Sequence, residues 1–139
     1  MKNKLKIFFL LISFLTILPT ILTGNEQFNF NVTEVEITEE GNRFKGLKRG
    51  TVTTEDGIII TADTFEYDKV SNILNAKGDV IIDDIVKDII IYSDNITYLK
   101  NEDKVFTKNN SRAVDGEFII TADTFEYDKV SNILNAKGD

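Results

Sequence analysis

The sequence predicts an all-β domain of antiparallel hairpins that repeat about every 30 residues, and three observations carry that prediction. First, the 21 residues Ile59 to Asp79, IITADTFEYDKVSNILNAKGD, recur letter for letter as Ile119 to Asp139. Sliding the block by 31 positions uncovers a worn copy, in which Ile91, Asp94, Ile96, Tyr98 and Lys100 lie under Ile60, Asp63, Phe65, Tyr67 and Lys69. Second, valine, isoleucine, threonine, phenylalanine and tyrosine dominate these units, no proline follows Pro19, and no stretch sustains a helical period. Third, turn-forming runs such as Asp68-Lys-Val-Ser-Asn72 punctuate the strands at hairpin spacing. Self-similarity at a fixed period marks stacked units that bury a continuous core only together.

The elements follow in order. Lys2, Lys4 and Lys6 precede an apolar run from Ile7 to Leu18, which Pro19 breaks ahead of the polar Gly24-Asn25-Glu26. This is the layout of a secretory signal peptide over residues 1–24, with cleavage expected after Gly24. The run is short for a membrane span, which wants about 20 apolar residues; counting Ile21 and Leu22 lengthens it and leaves an uncleaved anchor as the alternative. A weak upstream unit follows, in which Phe30, Val32, Val35 and Ile37 fill the strand slots and Phe44-Lys45-Gly46 stands for Ala76-Lys77-Gly78. Gly41-Asn42, Glu55-Asp56-Gly57 and Asp115-Gly116 are further hairpin signals.

Ile59 to Tyr67 and Ile73 to Ile82 form the first full hairpin of the prediction, closed by Asp68 to Asn72. In its second strand Leu74, Ala76, Gly78, Val80 and Ile82 share one face, while Asn75, Lys77, Asp79 and Asp83 share the other, the mark of a half-buried strand. The middle unit repeats this with its turn at Leu99 to Lys104. One detail resists regular alternation: Ile60 and Ala62 have one parity, Phe65 and Tyr67 the opposite one. Both pairs can face inward only if a bulge or corner intervenes near Ala62-Asp63, and the matching Ser93-Asp94 and Ala122-Asp123 extend that expectation to every unit.

Composition bounds the function. With 139 residues and 42% hydrophobic content the chain makes one ordinary globular domain. It has no cysteine, which removes disulfides and thiol chemistry, and no histidine, which removes the commonest general base and metal ligand. The net charge is −7; the three lysines of the leader contribute +3 with no acid before Glu26, so residues 25–139 stand at −10. Nucleic acid is a poor partner for such a surface, and a lipid would be held by apolar contact rather than by charge. Asp83-Asp84 and the pair Asp63 and Glu66 are read as solvated turn and face residues, since no calcium-loop spacing surrounds them. No catalytic residue, metal ligand or cofactor site is assigned.

The recurring pattern of isoleucine, alanine or serine, aspartate, aromatic and tyrosine, then leucine-x-alanine-x-glycine-x-valine, is carried here by Ile60, Ala62, Asp63, Phe65, Tyr67, Leu74, Ala76, Gly78 and Val80. It resembles the OstA-like repeat of lipopolysaccharide transport proteins, and Phe28 to Ser111 is most similar to the periplasmic N-terminal domain of the LPS-assembly protein LptD. The resemblance implies an antiparallel OstA-like β-jellyroll over residues 25–139, open and trough-shaped, that shelters lipopolysaccharide acyl chains in a Gram-negative periplasm or at its outer membrane. The implied groove comprises Ile60, Ala62, Phe65, Tyr67, Leu74, Ala76, Val80, Ile82, Ile91, Ile96, Tyr98 and Val105, with Ile120, Phe125, Tyr127 and Leu134 as their counterparts in the last unit. It also implies addition of an LptA-like periplasmic domain to an edge strand and, in a full-length protein, an outer-membrane assembly complex. The sequence stops at Gly138-Asp139 where the first copy continues as Val80-Ile81-Ile82, so the domain is expected to be truncated there. A soluble LptA-like or anchored LptC-like bridge component is the neighbouring reading. From another class, a secreted β-repeat structural or adhesin segment would share export and repeats, although the hairpin-like turns argue against parallel coils.

Overall fold

Each repeat is one stroke out and one stroke back across a common corner. The structure, a computed structural model, describes residues 28–138; the expected leader at residues 1–24 lies outside the described residues. The chain goes out through β1 (Phe28–Asn31) and β2 (Val35–Thr38) and returns through β3 (Arg43–Gly46) and β4 (Gly50–Thr54). It goes out again through β5 (Ile58–Ala62) and β6 (Thr64–Asp68) and returns along the unbroken β7 (Ile73–Asp84). The third cycle is β8 (Ile89–Leu99), then β9 (Lys104–Lys108) and β10 (Ser111–Asp115); the fourth is β11 (Phe118–Ala122) and β12 (Thr124–Asp128), then β13 (Ile133–Lys137). Outward strokes begin at Phe28, Ile58, Ile89 and Phe118, which is the 30-residue period seen as geometry. The fold class expected from sequence is the one found: every pairing among the described residues is antiparallel, and the sheet does not close on itself.

The corner divides this sheet into two leaves. In the first leaf the order is β2-β3-β6, the half of β7 from Ile73 to Lys77, the half of β8 from Asn95 to Leu99, then β9-β12-β13. In the second it is β1-β4-β5, the other halves of β7 and β8, then β10-β11. Only β7 and β8 cross the corner without a break. They do so because Gly78 and Asp79 oppose a single residue of β8 between the pairs Lys77–Asn95 and Val80–Ser93, a β-bulge, with φ of +85° and +42° at the two positions. Elsewhere the strand is interrupted, by one residue at Asp63 between β5 and β6 and at Asp123 between β11 and β12, by two between β9 and β10, and by three between β1 and β2 and between β3 and β4.

Polar side chains satisfy the backbone that the corner leaves unpaired. The Asp63 N–H donates to the carbonyls of both Lys77 and Gly78 at 3.1 Å. Arg49 donates from Nη1 to the Asp63 carboxylate at 2.8 Å and from Nη2 to the Asp79 carbonyl at 3.0 Å. Ser93 Oγ lies 3.0–3.2 Å from the carbonyls of Asn95, Lys108 and Asn109. Farther along, Asn109 and Asn110 take left-handed φ of +68° and +50°, and Asn110 Nδ2 donates to Asp94 at 2.7 Å. The parity conflict in the sequence is thereby resolved: Ile60 and Ala62 point inward before the corner, Phe65 and Tyr67 point inward after it, and all four are buried.

The inner faces of the two leaves pack on one apolar core, while Lys45, Glu66, Asn75 and Lys77 stand on the outer face. Removing each large aliphatic or aromatic side chain of this core from water contributes about 1.5–3 kcal/mol. The second leaf supplies mostly branched aliphatics, Val52, Ile58, Ile60, Val80, Ile82 and Ile91, together with the ring of Phe28; the first supplies the remaining buried rings, Phe65, Tyr67, Tyr98, Phe125 and Tyr127.

Candidate functional site

Fourteen of the sixteen groove residues expected from sequence converge on this interior. Ile60, Ala62, Val80, Ile82 and Ile91 reach it from the second leaf; Phe65, Tyr67, Leu74, Ala76, Ile96, Tyr98, Val105, Phe125 and Tyr127 reach it from the first, and all are buried. The two others belong to the last unit. Leu134 is partly buried against the core, and Ile120 is 42% exposed.

Tyr67, Tyr98 and Tyr127 occupy the same slot in three successive units and so form a row along the rim of the first leaf, the edge farthest from the corner. Their hydroxyls each end on a polar partner: Tyr67 donates to Asn72 Oδ1 at 2.8 Å, Tyr98 to Asp103 Oδ1 at 3.2 Å and Tyr127 to Asp84 Oδ2 at 2.9 Å. The last bond crosses to the second leaf. Phe28 of β1 crosses as well, meeting Tyr67 and Tyr98 edge-on with ring centroids 5.0 and 5.5 Å apart. Burial pushes the Tyr98 and Tyr127 phenols well above their ordinary range, helped by the charges of Asp56 and Asp103 in one case and by the hydrogen bond to Asp84 in the other. Burial also raises Tyr67, with Asp68 adding to it.

A charged cluster sits beside this row. Lys129, in the turn after β12, is 9% exposed; its Nζ donates to the Asp56 carboxylate in the β4–β5 turn and lies 3.3 Å from the Tyr98 hydroxyl. Lys87 Nζ, in the β7–β8 turn, donates to the Lys129 carbonyl. Burial opposes ionisation of Asp56, but hydrogen bonds from Lys129 and Thr54 and the charges of Lys129 and Lys100 prevail and hold it at about 2. A small cavity of about 230 Å³ lies here, bordered by Asp56, Asp84, Val86, Lys87, Asp103, Lys129 and Val130.

The interior is exposed at the two ends of the sheet. Val35 and Ile37 of β2 stand opposite Gly46 and Phe44, hence on the inner face, yet are 44% and 56% exposed. At the far end Ile120 stands opposite buried Ala113, and Phe118, on the same face, is 75% exposed. β1 and β2 at one end, and β11 and β13 at the other, have a free strand edge among the described residues.

Some participants escaped the sequence. Asp84, read there as solvated, is 2% exposed and takes the Tyr127 hydroxyl, a correction that follows from the two leaves closing over it. Val52, Ile58, Ile89 and Ala113 were readable from same-parity positions two residues from assigned ones or in partner strands. Phe28 and Lys129 carried no local signal.

No protein-family model matches the chain, and no curated protein matches it in sequence. In fold it is similar to LptH from Pseudomonas aeruginosa, whose crystal structure is described as that of the LptA-homologous periplasmic component of a conserved lipopolysaccharide transport device. The superposition has a TM-score of 0.72 and covers 81% of this chain and 82% of that one at 14% identity. At such identity the likeness is one of fold: this bent antiparallel sheet is an LptA-like β-jellyroll.

Proposed function

We propose that the domain is a periplasmic lipid-binding module of lipopolysaccharide transport, whose two leaves part to shelter acyl chains between them. The observation that carries this reading is an interior lined by apolar side chains that remains exposed at both ends, through Val35 and Ile37 on one side and Phe118 and Ile120 on the other. Each sheltered methylene is worth about 0.8 kcal/mol, so a chain of about ten carbons offers roughly 8 kcal/mol when fully enclosed. That is enough to repay partial exchange of side-chain packing for lipid packing. Sugars and phosphates would remain outside the leaves, consistent with an acidic surface.

The free strand edges at each end fit addition of a like domain, β1 or β2 of one module beside β11 or β13 of another, so that interiors join end to end. The repeat pattern favours an LptD-type N-terminal domain as the setting; the fold shared with LptH favours a soluble bridge. The full chain, expressed for export and recovered from the periplasm, is expected to carry lipopolysaccharide in native mass spectrometry. Folded protein recovered without lipid, and unable to take up added lipopolysaccharide, would return the structural or adhesin reading.

A further inference from the structure

Away from the corner no β-ladder joins the two leaves among the described residues, and the contacts seen between their rims there are made by side chains. Over the first half of the seam the contact is Phe28 lying on Tyr67 and Tyr98; over the second it is polar, and Lys129 is its centre. The ammonium ties the β12–β13 turn of the first leaf to Asp56 of the second, 73 positions away in sequence, and rests against the Tyr98 hydroxyl at the rim of the apolar core. Lys87, from the β7–β8 turn of the second leaf, holds the Lys129 carbonyl. Thus two turns of one leaf grip one turn of the other.

The exact repeat supplies an internal comparison. Lys69 occupies the same place in the same 21-residue sequence, yet it is exposed and its Nζ lies over the Phe44 ring at 5.0 Å, within its own leaf. Local sequence therefore does not put Lys129 on the seam; its place beside Asp56 does. A tie of this kind can release. The Asp56 side chain is 44% exposed, so water can take over its half of the bridge, and the ammonium can swing outward on a flexible stem.

From this geometry we infer that the Lys129–Asp56 bridge is a latch on the seam, and that its release lets an acyl chain enter the interior from the side rather than only through the ends. The inference rests on the lipid-binding reading for its ligand, but the latch itself can be tested without one. The chain has no cysteine, so thiols introduced by V86C and S131C, at exposed positions in the facing turns, label the two rims cleanly. Spin labels there should report a longer and broader distance distribution in Lys129→Met, while Lys69→Met, the same change in the same local sequence, should match the parent. A dansyl-labelled ten-carbon fatty acid should be captured at least tenfold faster by Lys129→Met, and at least tenfold more slowly when a cleavable bis-maleimide joins the two thiols in the Lys129 protein; cleaving the linker should restore the rate. Unchanged distances in Lys129→Met, or parental capture through a cross-linked seam, would overturn the latch. If no form captures the probe, lipid binding falls and the distances alone decide. If Lys129→Met does not fold, the cross-linking arm decides.

Discussion

The Asp63 carboxylate occupies the space a Cβ on Gly78 would need: an ideal Cβ there would lie 2.3 Å from Asp63 Oδ2, and the pair Asp123 and Gly138 repeats the arrangement at 2.4 Å. The aspartate breaks one strand, the glycine at positive φ bulges the next, and each fits only because of the other. Together they set the corner.

Gly78→Ala should therefore be among the most damaging single-atom-group changes in the domain, because it combines left-handed strain with a clash on a side chain already held by Arg49. A loss of about 2–4 kcal/mol is expected. Gly116→Ala, at φ +57° but with nothing within 4 Å of the added methyl, should cost about 1 kcal/mol. Urea denaturation of the two variants against the parent measures the difference; equal losses would mean that backbone conformation alone, not the aspartate contact, fixes the corner.

Identical sequence in unlike surroundings makes a second test. Leu74 is fully buried between β6 and β8, whereas Leu134 lies on an edge strand and is only partly buried. Leu74→Ala should cost about 2–5 kcal/mol and Leu134→Ala about 1 kcal/mol. Similar costs would show that the last unit is as well covered in solution as the first.

Asp56 predicts an acid limb. Its folded value of about 2 lies below the ordinary 3.8, because Lys129, Thr54 and Lys100 outweigh the burial that opposes its charge. A carboxylate depressed on folding contributes stability that is complete above about pH 4 and is lost as pH falls from about 4 through 2. The urea midpoint should drop across that window, and by less in Asp56→Asn. The tyrosines act at the other extreme: raised phenols favour the fold below pH 10 and withdraw that contribution above it, so absorbance at 295 nm should show Tyr98 and Tyr127 ionising together with unfolding.

Much of this was legible in the sequence, for reasons that particular residues make plain. Alternation from Leu74 to Ile82 is a local property of a strand, and the repeat makes it visible more than once. The corner was readable as a contradiction: Ile60 and Phe65 could not both face inward unless Asp63 broke the strand. What could not be read depends on position in the stack. Ile60 and Ile120 share their neighbours in sequence, yet one is fully buried and the other 42% exposed, because β5 lies between two strands and β11 has a free edge. The seam was hidden for the same reason. Tyr127 with Asp84 and Lys129 with Asp56 are pairs 43 and 73 positions apart, brought together only when the leaves close.

The central claim, that the space between the leaves takes acyl chains, is tested most directly by site-specific photo-crosslinking in the periplasm. A photoreactive residue at Phe65, Tyr67, Ile96 or Tyr98, all inward and buried, should capture lipopolysaccharide, and one at Asn75 or Lys77, on the outer face of the same leaf, should not. Equal capture on both faces, or none at the inward positions of a folded protein, would contradict the account.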